Sequence, residues 1–164
     1  MPSSVISTDL SNTNSTEVTY DQYDLKGNLQ QYTTKDGVAT TIIWGYNSTQ
    51  PIAKITGISY SLVIGLAAEI IAASNAYINL GTEQSLIDKL DTFRKNSALQ
   101  NTQITTYTYD PLVGVTSITP PSGIREIYLY DSANRLKEIK QQEKDAAGNL
   151  IYKTVKEFKY NYKH

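Results

Sequence analysis

Tyrosine followed at once by a turn-forming acid or amide recurs at Tyr23-Asp24, Tyr46-Asn47, Tyr109-Asp110 and Tyr130-Asp131. Two of these close a Tyr-x-Tyr-Asp unit, Tyr107-Thr108-Tyr109-Asp110 and Tyr128-Leu129-Tyr130-Asp131, and Tyr20-Asp21-Gln22-Tyr23-Asp24 is a near copy. Recurrence at this density is an internal repeat. A repeat restricts architecture, because each copy is one small unit that buries its apolar side only by stacking on the next.

The residues after each tyrosine spell turns. Asp24 and Gly27 stand at the first and fourth positions of a type I turn, where Asp and Gly are preferred. Asp36-Gly37 is a hairpin dipeptide. Pro111, between Asp110 and Gly114, presets φ near −65°. Pro121-Ser122-Gly123, Asp131 to Asn134 and Asp145 to Gly148 continue the series at a spacing that suits an antiparallel meander. Between turns the period is two. Val38, Thr40, Ile42, Trp44 and Tyr46 form one apolar face, which places Trp44 in the core. Tyr152, Thr154, Lys156, Phe158, Tyr160 and Tyr162 form another, against Lys153, Glu157, Lys159 and Asn161. The run from Ile124 to Tyr130 is apolar on both sides, as expected of a strand that is central or covered twice.

From about 60 to 99 the turns stop and a helical period takes over. Val63, Leu66, Ala67, Ile70, Ile71 and Ser74 make one stripe, with Ser59 or Ser61 as its cap. Gly81 separates this helix from a second. Thr82 is the expected N-cap there, Glu83 lies in the first turn, and Leu86, Ile87, Leu90 and Phe93 form the apolar face. The domain plan is therefore a flexible lead over 1–16, hairpins over 17–58, a helical hairpin over 59–99 and hairpins over 100–164, with 17–164 as one domain.

Composition removes several chemistries. The chain has no cysteine, which excludes disulfides, thiolate metal sites and cysteine nucleophiles. Its one histidine is terminal, so imidazole catalysis is not expected. Thirteen tyrosines against two phenylalanines and one tryptophan suit half-buried strands with a hydroxyl to place. Residues 135–164 hold eight Lys/Arg against four Asp/Glu. Lysines at strand-alternate positions read as a solvated face, so nucleic acid is not an expected partner. No signal peptide opens the sequence, and no apolar run is long enough to span a bilayer. Calcium is not expected either, since Asp24 to Asn28 and Asp145 to Asn149 lack the carboxylate density of a calcium loop. No cofactor is expected.

Tyr-x-Tyr-Asp, a short turn, then Gly-Asn-Leu or Asn-Arg-Leu resembles the YD repeat of the bacterial RHS (rearrangement hot spot) family. The motif stands here as Tyr23-Asp24 through Leu29 and Tyr130-Asp131 through Leu136, with Gly148-Asn149-Leu150 as a third ending. The match covers roughly 20–56 and 104–162 and leaves out the helical stretch. The resemblance implies antiparallel YD-type β-hairpin repeats forming a curved open sheet; with the α-helical hairpin that the period places between them, the expected fold is mainly β with a helical insertion. The resemblance also implies a structural and interaction module from the C-terminal part of an exported or cell-surface protein. Its partners would be further repeats of a shell, an enclosed cargo effector, or a second copy. Structural repeat positions are then Tyr23, Asp24, Gly27, Tyr46, Asn47, Tyr107, Tyr109, Asp110, Gly114, Tyr128, Tyr130, Asp131, Gly148, Tyr160 and Tyr162.

Two alternatives carry chemistry. The tyrosines at 107, 109, 128, 130, 160 and 162 suit an aromatic platform for a glycan, with Asn134 or Asn149 as polar contacts, in an adhesion module. Against this, period-two strands normally bury such rings as a core ladder. Family shells also release cargo through an aspartyl autoprotease, and Asp110-Pro111 with Gly114 echoes its border. A proton-sharing acid pair would need a partner such as Asp131. Because Asp110 already fills a turn position, no enzymatic activity is expected.

Overall fold

A computed structural model describes residues 1–77 and 80–160. It is mainly β and antiparallel, with a helical insertion, and its contacts cluster into two compact units, Met1–Ile104 and Thr105–His164. In the first unit, β1 (Ser4–Thr8), β2 (Asn14–Tyr23), β3 (Leu29–Thr34), β4 (Ala39–Gly45) and β5 (Gln50–Thr56) pair in chain order. Then come α1 (Tyr60–Val63), α2 (Ala68–Asn75), α3 (Leu80–Arg94) and a 3-10 turn at Ser97–Leu99. The strand β6 (Gln103–Asp110) begins at the end of this unit. In the second unit it is followed by β7 (Gly114–Thr119), β8 (Glu126–Tyr130), β9 (Leu136–Lys144) and β10 (Leu150–Glu157), again paired in chain order.

The core of the first unit lies between β4–β5 and the helices. Ile43, Ile52, Ala53, Ile55, Val63, Ala67, Ile70 and Leu86 are all 1% exposed or less. The sequence placed Val38, Thr40, Ile42, Trp44 and Tyr46 on the buried side of β4. Thr40 and Tyr46 are buried as expected, but Ile42 and Trp44 are only half-buried, while Thr41, Ile43 and Gly45 on the opposite face are fully covered. The helices settle on the odd-numbered face, which a period of two cannot reveal. Trp44 turns toward β3, and its indole N–H donates to the Leu29 carbonyl at 2.8 Å.

The expected first helix is two short ones. Residues 64–67 form a turn in which the Leu66 and Ala67 amides both donate to the Val63 carbonyl. The winding is kept, so Val63, Ala67, Ile70 and Ser74 still bury as one stripe. Ser59 precedes α1 but makes no side-chain cap bond. Gly81 and Thr82 lie inside α3, which starts at Leu80, so neither separates nor caps a helix. Leu86, Leu90 and Phe93 form its buried face, as their spacing requires.

Other sequence expectations change. The 1–16 lead contains β1 and the start of β2, held by Ser7 Oγ donating to Glu17 Oε1 at 2.6 Å and Thr8 Oγ1 donating to Asn14 Oδ1 at 2.7 Å. The expected buried face at Tyr152 to Tyr162 is absent from β10, whose residues are all exposed. A bulge at Val155 breaks its alternation, and the strand ends at Glu157, before Phe158 and Tyr160. The strand β8 is central in its pairing but only half-buried. In the second unit the most buried side chains are hydroxyls: Thr106 and Thr108 face Thr119 and Ser117 across the β6–β7 ladder. Thr108 and Ser117 share a 2.6 Å hydrogen bond.

Candidate functional site

The acid of the repeat closes a five-residue turn, and the same hydrogen-bond pattern recurs at Asp9, Asp24, Asp131 and Asp145. In each, the aspartate N–H donates to the carbonyl four residues on, and the amide three residues on donates to the aspartate carbonyl, at 2.9–3.1 Å. One carboxylate oxygen accepts from the amides two and four residues on. At Asp24 these are Lys26 and Asn28, both at 2.8 Å. At Asp131 they are Ala133 at 2.8 Å and Arg135 at 3.1 Å. At Asp145 they are Ala147 at 2.9 Å and Asn149 at 2.8 Å.

The fourth residue of each turn is left-handed: Asn12, Gly27, Asn134 and Gly148 have φ of 60°, 86°, 57° and 85°. Only Gly, or Asn with its short polar side chain, adopts this region readily. The pattern is a type I turn with a left-handed bulge residue, a common three-residue hairpin loop. At Asp24, Asp131 and Asp145 the side chain of the fifth residue binds the second carboxylate oxygen. Asn28 and Asn149 donate through Nδ2 at 2.9 and 3.1 Å, and Arg135 donates through Nε at 2.9 Å and Nη2 at 2.6 Å. Gly-Asn-Leu and Asn-Arg-Leu are therefore two solutions to one problem, a left-handed bulge followed by a donor for Oδ2.

These bonds set the electrostatics. Hydrogen bonds from Arg135 hold the Asp131 carboxyl down at about 2. Hydrogen bonds from Asn149 lower Asp145, and the Ser11 hydroxyl does the same for Asp9. Both Asp131 carboxylate oxygens are taken up inside the turn, one by the Ala133 and Arg135 amides and the other by the Arg135 guanidinium. Asp110 closes a related turn by accepting from the Leu112 amide at 2.9 Å. There the glycine comes one residue later, Gly114 at φ 145°.

The tyrosines act through their hydroxyls. Tyr23 donates to the Pro2 carbonyl at 2.7 Å, Tyr130 to Val115 at 2.8 Å and Tyr160 to Leu136 at 2.8 Å. Tyr130 ties the end of β8 to β7, Tyr23 ties the end of β2 to the segment before β1, and Tyr160, beyond the end of β10, reaches the start of β9. Tyr130 lies over Gly114, where a Cβ would meet its hydroxyl oxygen at 3.1 Å. Arg135 stacks on Tyr160 with its guanidinium carbon 4.5 Å from the ring centre. The strand registers put Tyr107, Tyr109, Tyr128 and Tyr130 on one face. Elsewhere, Tyr46 meets Tyr77 edge-on at 5.7 Å. Burial, with Tyr107 nearby, pushes Tyr109 up to about 12. Burial and the Glu126 carboxylate, which accepts its hydroxyl, do the same to Tyr128. Tyr162 lies outside the described residues.

Tyr46-Asn47 departs from the pattern. Here the tyrosine is in the turn, and Tyr46, Asn47 and Ser48 are left-handed in succession, at φ 49°, 57° and 61°. Such residues carry roughly 1–2 kcal/mol of strain each. The end of α2 stabilises the turn: Asn75 Oδ1 accepts the Asn47 N–H at 2.7 Å and Ser74 Oγ accepts the Tyr46 N–H at 3.3 Å. From the other side, Lys26 Nζ donates to the Asn47 carbonyl and Asn28 Nδ2 to the Ser48 carbonyl. Sequence reading missed this link between turns, and it missed the Asp9 turn, whose only signal was Asp9 three residues before Asn12.

Among the described residues no group of three or more His, Asp or Glu is placed to hold a metal. No described helix is long and apolar enough to cross a membrane. A groove of about 580 Å³ runs beside Ser122, Gly123, Ile124, Gln142, Lys144 and Leu150. No protein-family model matches the sequence. No curated protein matches it either. Among solved structures the chain is similar to the crystal structure of TcdB2-TccC3-TEV, at 12% identity and a TM-score of 0.29 over 93% of its own length. It spans 10% of that chain.

Proposed function

We propose that this chain is a non-catalytic structural and interaction module of an RHS/YD-repeat protein, exported or held at the cell surface. It packs on further repeats, on an enclosed effector or on another copy of itself. The observation that carries this reading is where the polar groups of the repeat spend their hydrogen bonds. The carboxylates at 24, 131 and 145 close their own turns, and the hydroxyls of Tyr23, Tyr130 and Tyr160 bind backbone carbonyls of the same chain. Groups committed in this way build hairpins and leave little to recognise a substrate.

The test replaces those hydroxyls. Tyr130→Phe leaves the Val115 carbonyl without its donor and is expected to lower stability by about 1 kcal/mol. Tyr23→Phe is expected to lower it as well, and the intact mass of the wild-type chain to stay constant on long incubation. Full stability in both variants, together with tyrosine-dependent binding on a glycan array, would instead identify a carbohydrate-binding or adhesion module. A fragment ending near Leu112 would identify a self-cleaving protein.

A further inference from the structure

Every residue of β1 and every residue of β10 is exposed, and each pairs on one side with a neighbour of its own unit. Hydrogen-bond directions tell which backbone groups are left over. On β1, the Ser3 carbonyl accepts from the Tyr20 N–H at 2.8 Å and the Asp9 N–H donates to Thr13 at 3.1 Å. Backbone groups alternate along a strand, so Ser4, Ile6 and Thr8 turn theirs away from β2. The extra residue of the β1–β2 bulge, Glu17, lies on β2 and leaves that alternation intact. On β10, Tyr152 stands opposite Gln142, whose N–H donates away from β10 to the Arg125 carbonyl at 2.8 Å. That makes the two a wide pair, with both backbones facing outward. Among the described residues, Leu150, Tyr152 and Thr154 therefore present free N–H and C=O groups up to the bulge. The two edges match, with three outward residues each over a stretch of five.

Charge decides which edges meet. Residues 1–23 hold Asp9, Glu17 and Asp21 and no lysine or arginine; Lys35 pairs with Glu17 at 3.3 Å, which leaves this edge with a net acidic charge from Asp9 and Asp21. Residues 135–160 hold seven Lys/Arg against four Asp/Glu. Joining β10 to β10 brings two basic edges together, and joining β1 to β1 brings two acidic ones. Only β10 against β1 brings opposite signs together. Edge lysines such as Lys153 and Lys156 normally guard a strand against pairing, but that guard acts against a like edge and favours an acidic one.

We propose that the β10 edge of one copy takes up the β1 edge of a second copy as an antiparallel backbone ladder. The proposal names the partner within the interaction-module reading and rests on it. The contact covers exposed Val5, Ile6, Leu150 and Ile151. It is heterologous, so each added copy leaves a fresh edge for the next.

Two variants test it. Ile6→Pro and Tyr152→Pro each remove an outward N–H that the chain's own ladder does not use, a place where an edge strand tolerates proline. By sedimentation velocity, the wild-type mass rises with concentration past that of a dimer, and less so in high salt. Each proline variant alone stays monomeric with an unchanged circular dichroism spectrum. Mixed together, the two form complexes of two chains and no larger, because each supplies the edge the other retains. Lys153→Glu with Lys156→Glu weakens the wild-type association at low salt without any backbone change. A wild-type chain that stays monomeric up to millimolar concentration overturns the proposal, as does Ile6→Pro that dimerises by itself or a mixture that remains inert. A monomeric wild type in which Tyr130→Phe still loses stability removes this inference and leaves the structural reading standing.

Discussion

Replacing Gly45 by alanine should be among the most damaging single-methyl changes in the chain. A Cβ built at Gly45 lies 2.2 Å from Ser74 Oγ, 2.9 Å from Ser74 Cβ and 2.8 Å from Ile52 Cγ2. Ser74 is 1% exposed and Ile52 is 0% exposed, so neither has solvent to move into. Overpacking a core costs about 1–3 kcal/mol, and three simultaneous overlaps put this site at the upper end. Turning Ser74 aside gives up its bond to the Ile71 carbonyl at 2.8 Å and its grip on the Tyr46 N–H, each worth about 1 kcal/mol. The expected loss is about 3 kcal/mol, read as a lower urea midpoint at unchanged slope. In a melt it is a fall of roughly 6–12 °C. Adding Ser74→Gly to Gly45→Ala removes two of the three overlaps and should recover part of the loss. A Gly45→Ala variant within about 0.5 kcal/mol of wild type, the range of an ordinary surface change, would refute the close seating of α2 on β4.

Three further outcomes follow from the turns and the tyrosines. Ser48→Gly relieves a left-handed serine at φ 61° and should raise stability by roughly 0.5–1 kcal/mol in the same urea assay. Hydrogen bonds from Arg135 depress the Asp131 carboxyl from 3.8 to about 2 in the folded chain. Its stabilisation is therefore complete above the unfolded value and lost as pH falls through the folded one. Unfolding midpoints should drop between about pH 4 and pH 2, less steeply in Asp131→Asn. Tyr109 and Tyr128, both raised to about 12, should form the late phase of a tyrosinate absorbance titration, each part of which disappears in the corresponding Phe variant.

What could be read from the sequence was whatever a few consecutive residues decide. The turns at Asp24, Asp131 and Asp145 were legible because all their bonds lie within five residues. The apolar stripe of α3 was legible because Leu86, Leu90 and Phe93 follow the helical period. The covered face of β4 was not, because Thr40 and Thr41, or Ile42 and Ile43, are equally apolar, and only the helices packed later choose between them. The strand β1 was hidden by its serines and threonines, which suggested a disordered lead and instead bond across the hairpin to Glu17 and Asn14. Tyr46-Asn47 has the letters of the repeat without its geometry. Its left-handed run depends on Ser74 and Asn75, 28 residues further along the chain.

The acid-closed turn also bears on how the chain reaches its fold. Each one closes a loop of three residues with contacts no more than four positions apart, so little chain entropy opposes it. Register is then set locally, hairpin by hairpin, and folding can begin at any turn and spread to its neighbours. Antiparallel sheets with distant partners are slow to form, whereas this ladder is built from adjacent ones. The late step is the seating of α2 under the left-handed turn of β4, which has to wait for chain segments far apart in sequence to meet. Slow-phase kinetics should therefore respond to Gly45 and Ser74 and be nearly blind to Asp24.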